Sequence, residues 1–308
     1  MNRVATNANY SSILANLMRA QFNQSQANNQ VSSGKVASDL KGYANDAETL
    51  AAAQSVKSRV DTFIDQGKIL SAKLQSQDLA LNSIADAAQA ARQAIANALA
   101  ADKGDSVMGD LGAQFNNAVS GLNSKFQGRY LFAGGQVNTQ PVTATQMSDL
   151  TAAPSVASLF QNDNLTPTSQ LDESTTIQTG FLADGLGTNL FNAFKAVQSF
   201  AQGPGGPFSG QLTPAQRTFL QGQLAVFDGV RSGLTNAAAQ NGLIQNRADG
   251  SQKTQVARQT MLTGMIGDVT DVNMADAVTK LQQAQLQVQA SAQVFSMLQG
   301  SSLLNFLR

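Results

Sequence analysis

Between Val56 and Ala98, core-type positions return in steps of four and three without a slip. The series is Val56, Val60, Phe63, Gly67, Leu70, Leu74, Gln77, Leu81, Ile84, Ala88, Ala91, Ile95 and Ala98, and only Gly67 and Gln77 are poorly suited to a core. A 3.5-residue apolar period keeps one narrow seam facing a partner along a whole helix, so six sustained heptads predict a coiled coil. At 1.5 Å per residue such a helix spans roughly 60 Å and needs a partner of similar length.

Two further stretches supply partners. Val107, Leu111, Phe115, Ala118 and Leu122 predict a shorter amphipathic helix after a break at Lys103-Gly104-Asp105. Leu220, Leu224, Phe227, Leu234, Ala237 and Ile244 predict a long one, extended less regularly through Leu262, Ile266 and Val269. Its start is marked by Thr213 as the capping residue and Pro214 at the first helical position, where a missing N–H costs nothing.

Both chain ends read as polar helices almost without charge. Val4 to Gly34 contains one charge, Arg19, and a weak stripe of Ile13, Leu14, Leu17 and Val31. The last helix is expected from about Asp271 to Gln299, with Asp271 as its cap. Met274, Leu281, Val288 and Phe295 fall seven apart there, and Ala277, Ala284, Ser291 and Leu298 interleave. From Leu281 to Leu307 no side chain is charged. Such a helix has no face suited to bulk water. Ends of this kind do not bury enough apolar surface to offset the entropy of ordering unless a partner covers them. By contrast Lys41 to Arg129 is charged like a solvated surface.

Residues 134–187 carry Pro141, Pro154 and Pro167 with many Thr and Ser and show no helical period. They predict a small β or irregular insertion, with strand-like pieces at Pro141 to Thr145 and Thr175 to Thr179. Gly203-Pro204-Gly205-Gly206-Pro207 is a second break. The fold expected is mainly α: an elongated antiparallel coiled-coil or helical bundle built from both chain ends. Its parts are terminal assembly helices at 1–40 and 272–308, a bundle at 41–133 and 188–271, and the insertion at 134–187.

Composition removes most chemistry. The chain has no Cys, no His and no Trp. Without Cys or His it lacks thiolate nucleophiles, the commonest general base and the commonest transition-metal ligands. Ser32-Ser33-Gly34-Lys35 lacks the upstream glycine of a phosphate-binding loop and reads as a helix-ending glycine followed by a turn. Asp268, Asp271 and Asp276 do not follow the alternating ligand pattern of a calcium loop. Arg129-Tyr130-Leu131-Phe132 reads as a run that closes a core where a helix ends. No catalytic, cofactor or metal residue is therefore expected. With Lys plus Arg equal to Asp plus Glu, no electrostatic footprint for nucleic acid exists. No uncharged apolar run reaches 18 residues, so no membrane-spanning helix is expected. Met1 to Gly34 lacks the basic and apolar regions of a secretory signal, so any export is expected to proceed without a cleaved signal peptide.

Three regions together resemble the flagellin family. Val4-Ala5-Thr6-Asn7 and Val31-Ser32-Ser33-Gly34-Lys35 are similar to its Thr-Asn opening and Leu-Ser-Ser-Gly-Lys/Arg motif, and Ala37-Ser38-Asp39 to the stretch that follows. Asp271-Val272-Asn273-Met274-Ala275 resembles the opening of its last helix, and Leu303-Leu304-Asn305-Phe306-Leu307-Arg308 its apolar tail. Gly128-Arg129-Tyr130-Leu131-Phe132-Ala133-Gly134-Gly135, followed by Thr139 and Pro141, looks like the signature of the family's hook–filament junction members. The resemblance covers roughly residues 1–142 and 262–308.

The resemblance implies a structural, non-enzymatic subunit of the bacterial flagellum that joins hook to filament by self-assembly into a helical tube. It implies an extracellular place, with motility as the process served. The implied partners are further copies in a tubular lattice, a hook-side adaptor, filament flagellin, an export chaperone and the type III export apparatus. Assembly contacts are expected at Leu14, Leu17, Val31, Met274, Leu281, Val288, Phe295, Leu298, Leu304 and Phe306. The motif residues it singles out are Ser33, Gly34, Lys35, Arg129, Tyr130, Phe132 and Gly134. A short filament flagellin is the alternative. A surface-displayed glycan-binding or adhesin module is a remote one, disfavoured by three Tyr and no Trp.

Overall fold

A computed structural model describes the backbone of residues 2–306 and the side chains of residues 10–297. The fold is mainly α, with long helices packed on one another and two small antiparallel hairpins. The helices are α1 (Asn2–Ser33), α2 (Ala47–Ala101), α3 (Val107–Leu122), α4 (Met147–Ala152), α5 (Ala183–Gln202), α6 (Pro214–Thr270) and α7 (Met274–Phe306). The strands are β1 (Lys125–Phe126), β2 (Arg129–Tyr130), β3 (Thr168–Gln170) and β4 (Thr176–Gln178). Among the described residues no helix is long and apolar enough to cross a membrane. Two compact units result, one of residues up to Asp61 with those from Ala257 on, the other Thr62–Val256.

In the Thr62–Val256 unit the heptad stripe is the buried face of α2. Leu70, Leu74, Gln77, Leu81, Ile84, Ala88, Ala91, Ile95 and Ala98 are all buried there. Phe63 is half-buried, and Ile64 beside it takes the deeper place. Opposite runs α6, antiparallel, with Leu220, Phe227, Leu234, Asn241 and Ala248 buried at seven-residue intervals. The direction is fixed by cross-pairs at both ends of this stretch: Arg217 with Asp102, Arg92 with Asp228, and Asn241 with the Leu74 carbonyl.

The main core lies where α3 and α5 join these two helices. Val107, Leu111, Phe115, Ala118 and Leu122 of α3 are all fully buried, as their spacing predicts. Phe115 sits 5.1 Å from Phe191 and 5.6 Å from Phe194, and Phe194 meets Phe227 edge-on at 5.3 Å between ring centres. These tilted and T-shaped pairs add to the area they bury. The start of α6 is as expected: Thr213 Oγ1 accepts from the Gln216 amide, and Gln216 Oε1 accepts from the Thr213 amide, a reciprocal capping box.

In the stretch 134–187, Val142 bridges to Phe160, and β4 pairs with β3, with Ser169 opposite Ile177. Both strand-like pieces are therefore paired. Two helices, one inside this stretch and one running out of it into the expected bundle at 188–271, have no apolar stripe drawn for them from the sequence. One is α4, only six residues long. The other is α5, which begins at Ala183 and buries Leu190, Phe191, Phe194 and Val197. Their i, i+1, i+4, i+7 spacing is helical, but the neighbouring Gly, Pro and Thr residues obscure it.

Candidate assembly surface

In the other unit, α1 and α7 pack antiparallel. Tyr10 near the start of α1 lies 5.3 Å from Phe295 near the end of α7. The seam on α1 follows Ile13, Leu17, Ala20, Gln24, Ala27 and Val31; that on α7 follows Ala277, Leu281, Ala284, Val288, Ser291 and Phe295. Only the alanines, Ala20, Ala27, Ala277 and Ala284, are fully buried. Small residues at these positions let two helices approach closely while covering little apolar surface. The larger side chains Leu17, Val31, Leu281, Val288 and Phe295 are half-covered at the seam margin. Met274 and Leu14 are exposed, at 47% and 36%. The side chains of Leu298, Leu304 and Phe306 lie outside the described residues.

The faces turned away from this seam are apolar too. Leu14, Met18 and Phe22 line the outside of α1 four residues apart, Phe22 being 67% exposed. Val278, Leu286, Val294 and Met297 are exposed on α7. A groove of about 830 Å³ continues from Phe22 past Asn29 and Ser33 to Lys35 and Asp39. A monomer that leaves such helices uncovered carries the mark of an interaction surface.

The Ser33-Gly34-Lys35 motif has a specific task. Gly34 ends α1 with φ +69° and donates to the Gln30 carbonyl, the left-handed helix stop that a side chain resists. Ser33 Oγ accepts from the Lys35 amide at 3.2 Å. The turn then lays residues 34–36 antiparallel against 270–272. The Val36 amide donates to the Thr270 carbonyl at 2.8 Å, and the Val272 amide to the Gly34 carbonyl at 3.0 Å. Lys35 Nζ closes the joint on the Asp271 carboxylate and on Thr270 Oγ1. The Lys35 and Thr270 hydrogen bonds hold the Asp271 carboxyl below the usual carboxylate range.

This arrangement corrects the expectation that Asp271 caps the last helix. The helix starts at Met274, and its cap is Asn273, whose Oδ1 accepts from the Ala275 amide at 3.0 Å. Asp271 lies too far upstream and is drawn to Lys35. Sequence reasoning missed the pair, since 236 positions separate its members. The signal available was one-sided: Lys35 is the charge that borders the nearly chargeless Val4–Gly34 run, whereas Asp276 and Lys280 stand between Asp271 and the run from Leu281.

In the Thr62–Val256 unit, Arg129 and Tyr130 form β2, paired with β1 across a turn at Gln127 and Gly128, both at positive φ. Lys125 Nζ sits 4.3 Å from the Tyr130 ring centre. Leu131, Phe132 and Ala133 are buried, and the Phe132 carbonyl accepts from Ala183 at the start of α5. The run closes the core where α3 ends. Gly134 (φ +69°) turns the chain against Asp163, whose carboxylate accepts from the Gly135 amide at 2.8 Å.

The sequence of residues 224–307 matches the C-terminal helical region of bacterial flagellins. No curated protein matches the sequence. Among solved structures, the fold is similar to a Vibrio parahaemolyticus protein assigned as flagellar hook-associated. The TM-score is 0.59 at 15% identity, over 72% of this chain and 96% of that one. It is also similar to FlgL of Bacillus cereus, with TM-score 0.52 at 15% identity over 71% of this chain and 99% of that one. The chain thus carries flagellin-type sequence in its last two helices and shares its fold with flagellar hook-associated proteins.

Proposed function

We propose that the chain is a structural, non-enzymatic subunit of the bacterial flagellum, seated at the hook–filament junction in the manner of hook-associated protein 3. The observation that carries this reading is the α1/α7 pair. Two nearly chargeless helices from opposite chain ends meet along an alanine seam and leave a second apolar face open on each. Such a pair is suited to packing among copies of itself. The flagellin-type sequence of residues 224–307 and the fold shared with hook-associated proteins agree with it.

On this reading residues 1–40 and 272–308 line a tube. Residues 41–133 and 188–271 form a helical bundle, and residues 134–187 a small insertion. Leu14, Leu17, Val31, Met274, Leu281, Val288, Phe295, Leu298, Leu304 and Phe306 make the contacts. The neighbours are further copies, a hook-side adaptor and filament flagellin. The chain reaches this extracellular place through the type III export apparatus, escorted by a chaperone.

One observation favours a filament flagellin instead: the matching sequence model describes flagellins. Gly128 to Gly135 favours the junction member. Gold labelling of an epitope placed in residues 134–187 separates the two. A narrow band at the distal end of the hook is expected; label along the whole filament would replace the junction reading with the filament one.

A further inference from the structure

Two hydrophobic clusters divide the Thr62–Val256 unit. The larger takes in α2 from Ala80 onward, α3, α5 and α6 up to Leu234. The smaller contains Leu70 and Leu74 of α2, Ala248 of α6, and Leu171 and Ile177 of the β3–β4 hairpin, with Ile244 packed against it. On both long helices a fully buried amide falls in the gap. Gln77 lies between Leu74 and Ala80, and Asn241 lies between Leu234 and Ala248.

Neither amide is well served. Gln77 is 0% exposed, and neither its Nε2 nor its Oε1 meets a hydrogen-bonding group. Asn241, equally buried, donates to the Leu74 carbonyl at 2.9 Å, but its Oδ1 has no partner. A buried amide without a partner forfeits its hydration, so the seam is weakest here although the heptad spacing runs through without interruption. Beyond the layer Lys73 is partly desolvated, and burial lowers its pKa.

We infer that the Gln77–Asn241 layer is a break in cooperativity built into the α2/α6 coiled coil. It lets the smaller cluster, with its β3–β4 hairpin, open while the four-helix core stays closed. Local opening follows contiguous units whose boundaries lie where apolar contacts thin out, and here the boundary is marked at the same level on both helices. The device gives the bundle a hinge without a loop, since neither long helix is interrupted at this level. The inference stands on these contacts and does not depend on the proposed function.

Native-state hydrogen exchange on the full chain tests it. Amides of residues 64–74 and 244–254 should share one opening, roughly tenfold to a hundredfold more frequent than that of residues 80–98, the factor that one or two orphaned amide groups account for. Gln77→Leu, which swaps the amide for an apolar side chain of similar size and spares the Asn241 bond, should narrow the gap. Adding Asn241→Leu should merge the two classes. Uniform protection from 64 to 98 in the wild type would overturn the inference. So would a gap that Gln77→Leu leaves at its original width, because the boundary would then have another cause.

Discussion

Leu79 and Leu81 stand two residues apart on α2, and the same substitution at each should have opposite consequences. Leu81 is 0% exposed inside the larger cluster, while Leu79 is 73% exposed. Truncating a fully buried leucine costs about 3–5 kcal/mol, from lost transfer energy plus the cavity. An aspartate there adds about 1–3 kcal/mol for an unpartnered polar group, or neutralises itself by a raised pKa. Leu81→Asp should therefore lose at least about 4 kcal/mol. For a cooperative unit of this size that is about 8–16 °C in Tm. Leu79→Asp should stay within about 0.5 kcal/mol, as exposed substitutions do. Urea unfolding followed by circular dichroism at 222 nm reads both. If Leu81→Asp costs less than about 1.5 kcal/mol, or Leu79→Asp as much as Leu81→Asp, the assigned seam is wrong.

Three further outcomes are expected. Gln216→Ala removes the Gln216 half of the capping box of α6 and the donor that holds the Gly205 and Pro207 carbonyls while leaving the Thr213 Oγ1 cap on the backbone amide, so it should cost about 1–3 kcal/mol in the same unfolding assay. A depressed folded pKa at Asp271 gives stability that is complete above the ordinary carboxylate value near 3.9 and is lost as pH falls through the lower folded value. The Val36 and Val272 amides, which donate across that joint, should lose exchange protection below about pH 4, and Asp271→Asn should remove their extra acid sensitivity while leaving α2 unaffected. Val288→Asp should leave the unfolding of Thr62–Val256 unchanged and abolish motility. A motile strain, or a destabilised Thr62–Val256 unit, would place that helix at the wrong interface.

How much was legible in the sequence follows from the range of each interaction. Apolar period is local information, so the seam of α2, all of α3 and the capped start of α6 could be read directly. Gly34 was legible for the same reason: a left-handed helix stop is a property of one residue. Chargeless ends were visible as composition, and with them the expectation of an assembly role. Pairings over long separations were not visible. Nothing local to Lys35 names Asp271, and nothing local to the displaced start of α7 moves the cap to Asn273. The seam between α1 and α7 was legible on one side only: Ala277 and Ala284 interleave in the stripe of the last helix, but the weak stripe of α1 does not pick out Ala20 and Ala27, which close helix approach buries. The sequence alone thus determined which segments are helices of long apolar period and that the chain has no Cys or His to offer. Only the tertiary structure decided which helix meets which, where the core splits at Gln77 and Asn241, and which apolar faces remain open. Those outcomes depend on contacts between residues far apart in the chain, where packing and desolvation choose among partners that the local pattern treats alike.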